Sequence, residues 1–171
     1  MNIILTTPQL FLRQFTEDDA PLIYILNKDP EIVKYVHEPV LENEEQAKNI
    51  LTNIILPQYK NHLGRWAVYT KSDNIFIGWC GLKYLPGDDS IDLGYRLIKS
   101  HWGKGLATEA AQYTLEHGFK NLELNVIRGR AHIENVASQK VMEKIGMKFV
   151  KEEIDNGCPV KTYTAALIDN S

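Results

Sequence analysis

Cysteine is scarce in this chain, with two in 171 residues. That number excludes a disulfide-framed mini-protein and a cysteine-rich metal site, and the expected setting is reducing and cytoplasmic. Cys80 lies inside an apolar run (IFIGWCGL), so a packed thiol is expected, and Cys158 beside an NG turn signal reads as a loop thiol. The five histidines show no metal-ligand spacing, so no metal is expected. No apolar stretch approaches the roughly 20 residues of a membrane-crossing helix. The opening MNIILTTPQ lacks the charged-then-apolar order of an export signal. Positive charge is also in short supply: the net charge is −3 and no dense Lys/Arg stripe appears, which argues against a nucleic-acid partner. Repeats, low-complexity tracts and Pro/Gly/Ser linkers are missing. Residues 1–171 therefore read as one domain, long enough to bury a core without staples. A hydrophobic content of 44% and a charged content of 24% are ordinary for a globular protein, so composition carries the reading no further.

What is present is an ordered series of elements. Residues 10–15 (LFLRQF) alternate like a strand, and TEDDAPLIYILNKD follows as a helix, with Thr16 or Asp18 as its cap. From Glu44, Ala47, Ile50, Leu51 and Ile54 recur at helical spacing until Pro57, which should end or kink the helix. Residues 65–70, 75–85 and 90–98 read as three successive strands separated by turn signals (KSDN, PGDD). A helix to about Phe119, a strand over 124–133 and a helix over 136–145 follow, the last stopped by Gly146. Two final strands surround IDNGC. The order predicts an α+β (mixed α/β) fold with a mostly antiparallel sheet of about seven strands and about four helices on its faces, not a doubly wound parallel sheet.

Between the third of those middle strands and the next helix stands WGKGLATEAA, residues 102–111. A helix N-terminus leaves amides unpaired and carries a partial positive charge, so it suits an anion. Glycine at 103 and 105 removes side chains that would hold a phosphate off the backbone, and Lys104, Lys99 and His101 add positive charge. A turn that binds nothing explains the glycines equally well at this level. The P-loop spacing GxxxxGK[ST] is not met, and the dinucleotide fingerprint GxGxxG fails at Thr108.

WGKGLATEA, preceded by GYRLI and followed by ENVASQKVMEKIGMKF, resembles the GNAT acyl-CoA N-acyltransferases, and within them the RimJ/RimL type of ribosomal-protein N-terminal acetyltransferase. The resemblance runs over nearly the whole chain, from TPQLFLRQFTEDDA onward. It implies a GNAT-like sheet splayed at its middle and acetyl-CoA as co-substrate. The pyrophosphate motif falls on Trp102, Gly105 and Ala107, with Trp102 where the family has Gln or Arg. By this resemblance the amides of Gly103, Lys104, Gly105, Leu106, Ala107 and Thr108 face the pyrophosphate. The edge of the strand at Leu97 and Ile98 meets the pantetheine arm, with an amide near Leu97 as oxyanion donor. Asn135 resembles a coenzyme-contacting asparagine, although a helix cap explains it too.

Acetyl transfer from a thioester to an amine needs a neutral amine, an oxyanion donor and a proton for the departing thiolate. No Ser/His/Asp or Cys/His nucleophile signature is present, and none is needed for direct attack. Many GNAT enzymes have a tyrosine where this chain has Met142, and Ser138 matches a serine of the RimJ/RimL type. Glu153 matches a proposed base of that type and Asp92 an acidic position of the wider family, while Glu109 reads as structural. His37 is a weaker candidate for substrate contact. The implied activity is an acetyl-CoA-dependent N-acetyltransferase, monomeric or homodimeric. A CoA-binding module with weak or no catalysis stays open because of Met142. The expected acceptor is a primary amine, on a protein or peptide N-terminus or a small molecule. An α-amine, with a reference pKa of about 7.7–8.0, is easier to deprotonate than lysine at about 10.4. The acceptor region is expected over residues 28–45 and 155–159. Acidic residues there (Glu31, Glu38, Glu42, Glu44, Glu45) leave polyamines and aminoglycosides as rivals.

Overall fold

A computed structural model describes residues 2–36, 38–87 and 89–167. The chain opens with β1 (Ile3–Thr6) and β2 (Leu10–Gln14). Thr16 and Asp19 then form a reciprocal capping box over the turn at Glu17–Asp19, which leads into α1 (Ala20–Asn27). Asn43 caps α2 (Glu44–Ile50) by accepting from the Gln46 amide at 2.9 Å. The rod does not stop before Pro57. A π-helical turn over Leu51–Ile55 joins α2 to a last turn, α3 (Leu56–Gln58), and Pro57 sits at the start of that turn, where a missing N–H costs least.

The remaining elements are β3 (Gly64–Thr70), β4 (Phe76–Leu85), β5 (Ser90–Leu97), α4 (Leu106–Lys120), β6 (Val126–His132), α5 (Val136–Lys144), β7 (Lys148–Asp155) and β8 (Cys158–Ala166). The strands join one sheet in the order β1-β2-β3-β4-β5-β6-β8-β7. That makes eight strands against the seven expected, the addition being β1, whose short IILT run shows no alternation of its own. Every neighbouring pair is antiparallel except β5 with β6. Asn156 and Gly157, both at positive φ, make the two-residue turn between β7 and β8. Cys158 is therefore not a loop thiol: it opens β8 opposite Asp155 and is buried.

Strand alternation divides the core between the two faces of the sheet. On one face Leu10, Leu12, Trp66, Leu82, Leu93 and Leu97 pack under α4 and α5. Ala110, Ala111, Thr114 and Gly118 let α4 lie close: a Cβ on Gly118 would come within 2.6 Å of the Ile127 side chain. The Cys80 thiol meets Thr114 Oγ1 at 3.3 Å beneath α4, and burial pushes its pKa up to about 12. On the other face Phe15, Ala67 and Phe76 pack against α1 and the α2–α3 rod. Glu109 on α4 accepts from Thr7 Oγ1 at 2.6 Å and from the Gln9 amide at 3.0 Å, so it fastens the β1–β2 connection to the helix.

Candidate active site

The parallel pair β5–β6 holds only at Asp92 with Arg128 and Leu93 with Gly129. Beyond that point β5 runs on from Gly94 to Leu97 without pairing to β6, and the sheet opens. A cavity of about 1030 Å³ fills the opening and is lined from both faces. Trp79, Arg96 and Asp92 line it on the α1 side, and Tyr95, Ser138 and Met142 line it on the α5 side.

At one mouth of the cavity stands the glycine loop. Gly103 and Gly105 sit at φ 73° and 76°, a region that costs other residues energy, and a Cβ on either would meet nothing within 4 Å. The first intrahelical bond of α4 runs from the Glu109 amide to Gly105 at 3.0 Å, which leaves the amides of Leu106, Ala107 and Thr108 facing open space. The indole of Trp102 donates to the Leu97 carbonyl at 2.8 Å and ties the loop to the end of β5. That bond gives Trp102 a structural role at the position where the family motif has Gln or Arg. The Ile98 amide is committed to the Ile77 carbonyl at 2.7 Å. Successive amides in a strand point to opposite edges, so the Leu97 amide faces the opening.

Of the residues singled out from sequence, Asp92, Leu97, Gly103, Gly105, Leu106, Ala107, Thr108, Asn135 and Ser138 all line this cavity. Ile98, Lys104 and Glu153 are not among the lining residues. Ile98 packs instead with the cluster under α1 and α2, and Lys104 points to solvent. Glu153 lies on the edge strand β7, where Thr162 Oγ1 donates to its carboxylate at 2.9 Å and Lys151 Nζ stands at 3.4 Å. The Thr162 bond holds its pKa below the usual range. Asn135 does cap α5, accepting from the Ser138 amide at 3.2 Å. Met142 is a core residue, its sulfur packed over Gly129. His37 lies outside the described residues.

Two features bear on proton transfer. Asp92 accepts from Arg130 at 2.9 Å, yet burial, with Asp155 nearby, raises its pKa to about 7 against the pull of Arg130 and Lys83. On the opposite face the Tyr95 hydroxyl donates to Ser138 Oγ at 3.1 Å, and burial lifts the Tyr95 pKa above its ordinary value. Sequence reasoning passed over Tyr95. The signal available was parity: in DLGYRL, Tyr95 shares a face with Leu93 and Leu97, away from Asp92. Parity places the ring under α5 but does not say which α5 residue it meets.

On the α1 face, Arg96 bonds to Asn27 and to Glu38 at 3.1 Å, and both Arg96 and Arg65 stack on Trp79, at 5.6 and 4.8 Å from the ring centroid. Residues 31–38 and 155–158 contribute to the same wall through Glu31, Tyr35, Glu38, Asp155 and Cys158. The described residues contain no group of three or more His, Cys, Asp or Glu side chains able to hold a metal ion. None of their helices is long and apolar enough to cross a membrane.

Comparison with known proteins bears on what such a cavity does. The model of the acetyltransferase (GNAT) domain matches residues 9–148. An uncharacterized N-acetyltransferase, p20 of Bacillus licheniformis, is 31% identical over 149 residues, covering 86% of this chain and 83% of its own. The crystal structure of a GNAT-family acetyltransferase from Bacillus anthracis superposes with a TM-score of 0.81 at 26% identity, over 97% of this chain and 98% of that one. The ribosomal L7/L12 α-N-protein acetyltransferase RimL, solved in complex with coenzyme A, shares the fold with a TM-score of 0.84 at 18% identity, over 97% and 98%.

Proposed function

The chain belongs to the GNAT acetyltransferase family, and on that premise we propose that it moves an acetyl group from acetyl-CoA to a primary amine by direct attack in a ternary complex. The observation that carries this reading is the parting of β5 from β6, which opens one cavity onto both faces of the sheet. The two substrates can then meet at Gly94–Leu97 from opposite sides. The residues present fit coenzyme A. The amides of Gly103 to Thr108 would take its pyrophosphate, where no side chain fills the space, and the free edge of β5 would take the pantetheine arm. Bound there, acetyl-CoA supplies the acyl group as a thioester.

The chain's own groups divide the remaining work by face. Asp92, whose pKa of about 7 leaves it half ionised near neutrality, takes the proton of the attacking amine on the α1 face. The Leu97 amide donates to the oxyanion. Ser138 gives its proton to the sulfur on the α5 face, and Tyr95 positions it by donating to the same hydroxyl oxygen. This reading assigns the base to Asp92 in place of Glu153, because Asp92 borders the opening and Glu153 does not. Two buried free thiols fit a cytoplasmic setting.

Release of CoA thiol from acetyl-CoA, followed with and without a panel of primary amines, tests the proposal. Thiol should appear in proportion to acetylated amine and only when both substrates are present. A full equivalent of CoA released without amine would replace direct attack by an acyl-enzyme. Silence across the panel, with CoA bound, would leave a binding module.

A further inference from the structure

Resting on that reading, we infer that the acceptor carries a carboxylate close to its amine and that the guanidinium of Arg65 binds it. The α1 side of the cavity is rich in cations, and most of them are matched. Arg130 holds Asp92 at 2.9 Å, Arg96 holds Glu38 at 3.1 Å, and Lys99 on the rim holds Glu31. Lys83 lies in the field of Glu38, Asp92 and Asp155. Arg65 differs. Among the described residues its guanidinium makes no hydrogen bond and no ion pair; it lies over the face of Trp79, 4.8 Å from the ring centroid, with Arg96 and the Arg96-bound Glu38 near enough to act on its charge.

A guanidinium does not escape such a position by losing its proton. Burial and the neighbouring Arg96 both disfavour its charge, which lowers its pKa from the usual arginine value. The group stays cationic at the cavity wall without a protein hydrogen-bond partner, so its N–H groups are available to an incoming anion. The contact with the indole is made without hydrogen bonds, so the guanidinium's N–H groups are left for another partner. A carboxylate matches them with two parallel hydrogen bonds.

Register sets the scale of the acceptor. Arg65 pairs with Gly81 and Gly81 with Gly94, so Arg65 stands two strands, about 10 Å, from the point where β5 leaves β6. The Trp79 ring spans that interval: its edge lies 3.4 Å from where a Cβ on Gly94 would be. Lys83 pairs with Asp92 in the next row. The anion site and the base therefore fall within reach of one small molecule or one terminal residue. The charge of Arg65, which no ion pair offsets, opposes a polyamine, whose remaining ammonium groups would meet it. The acidic residues that kept polyamines in view do not compensate. Glu31 and Glu38 are neutralised by Lys99 and Arg96, and Glu42, Glu44 and Glu45 do not line the cavity.

Two sources of such a carboxylate, a free amino acid and an acidic first residue of a peptide, are separated by the test. Thiol release from acetyl-CoA would be measured with free glutamate, a C-terminally amidated peptide beginning with Glu, the matching peptide beginning with Gln, and spermidine. Wild-type protein is expected to favour one of the two glutamate acceptors over the Gln peptide by about tenfold or more in kcat/KM, the scale of a charge-assisted bond. Which glutamate acceptor wins identifies the source. Arg65→Met should erase the preference by raising KM for that acceptor far more than for the Gln peptide, and Arg65→Lys should restore part of it. Calorimetry with the acetylated product should show the same loss in Arg65→Met. Equal or better turnover of the Gln peptide or spermidine by wild type, or a fall in Arg65→Met that is the same for all acceptors, would overturn the inference and leave acetyl transfer standing. No thiol release from any of the four, with CoA still bound, would remove both.

Discussion

The two mouths of the cavity are built in different ways. On the α5 side the surface proposed for the coenzyme is mostly backbone: the amides at the start of α4, two glycines at positive φ and the free edge of β5. All of it lies within residues 94–108, one stretch of chain. On the α1 side the surface is made of side chains contributed by β3 (Arg65), β4 (Trp79, Lys83), β5 (Asp92, Arg96) and β6 (Arg130), with Glu38 arriving from the segment between α1 and α2. A backbone cradle recognises what every reaction of one coenzyme shares, and it tolerates side-chain change as long as the glycines remain. A side-chain wall recognises one acceptor, and each of its members is replaceable alone. The contrast predicts where a single substitution abolishes chemistry, where it weakens coenzyme binding and where it does nothing.

The largest effect is expected at the junction of the two regions. Asp92→Asn keeps the shape of the side chain and removes the proposed base, so kcat should fall by about 10²–10⁴-fold, the usual range for general-base catalysis. The sign of the pH dependence follows from the raised pKa. Only the ionised carboxylate accepts a proton, so wild-type turnover should climb as pH rises through about 7, where Asp92 titrates, and Asp92→Asn should lose that limb. A rate–pH profile on both proteins checks this, and an unchanged limb in the variant would move the base elsewhere.

Gly105→Val tests the backbone side. Valine at φ 76° carries strain of about 1–3 kcal/mol, and relaxing it swings the Leu106–Thr108 amides away from their common target. Affinity for CoA should weaken by about tenfold to a hundredfold, with circular dichroism showing the fold retained. Undiminished affinity by calorimetry would mean that the loop is only a turn.

How legible each region was in the sequence follows the same division. WGKGLATEAA carries its meaning in adjacent positions, and spacing alone pointed to bare amides at a helix N-terminus. Even there, Ile98 was drawn in by position, although its amide is taken by Ile77. Most of the fold was readable because alternation and caps are local. β1 escaped notice because four residues of IILT give no period to count. The acceptor wall was almost unreadable: Arg65, Trp79 and Arg96 are separated in sequence and meet only through the β3–β4–β5 register. The Tyr95–Ser138 pair needed the docking of α5 on the sheet, which no strand pattern reports.

A smaller effect is expected from that pair. A thiolate is a stable leaving group, with a reference thiol pKa of about 8.5, so proton donation to sulfur assists the reaction less than the base does. Ser138→Ala should lower kcat about tenfold with acetyl-CoA affinity held, the pattern of an interaction made mainly in the transition state. Tyr95→Phe leaves Ser138 in place but unsupported and should cost less. The double variant should then be no worse than Ser138→Ala alone, since Tyr95 acts through Ser138. Additive losses would give Tyr95 a separate role.

The smallest effect sharpens the comparison most. Glu153 and Asp92 are both carboxylates on β-strands and both were candidate bases, but their surroundings push them in opposite directions. The Glu153 carboxylate is held by Thr162 and Lys151 at the sheet edge, which keeps its pKa low and makes it a poor proton acceptor near neutrality. Asp92 is desolvated at the opening, which raises its pKa and improves it as a base. Glu153→Gln retains a carbonyl oxygen to accept from Thr162 and gives up only the partly exposed Lys151 pair, worth about 0–1 kcal/mol. Turnover and the limb near pH 7 should therefore match wild type, and thermal stability should shift little. Loss of that limb in Glu153→Gln, with Asp92→Asn still active, would reverse the assignment and move the proton's exit from the sheet opening to the β7 edge.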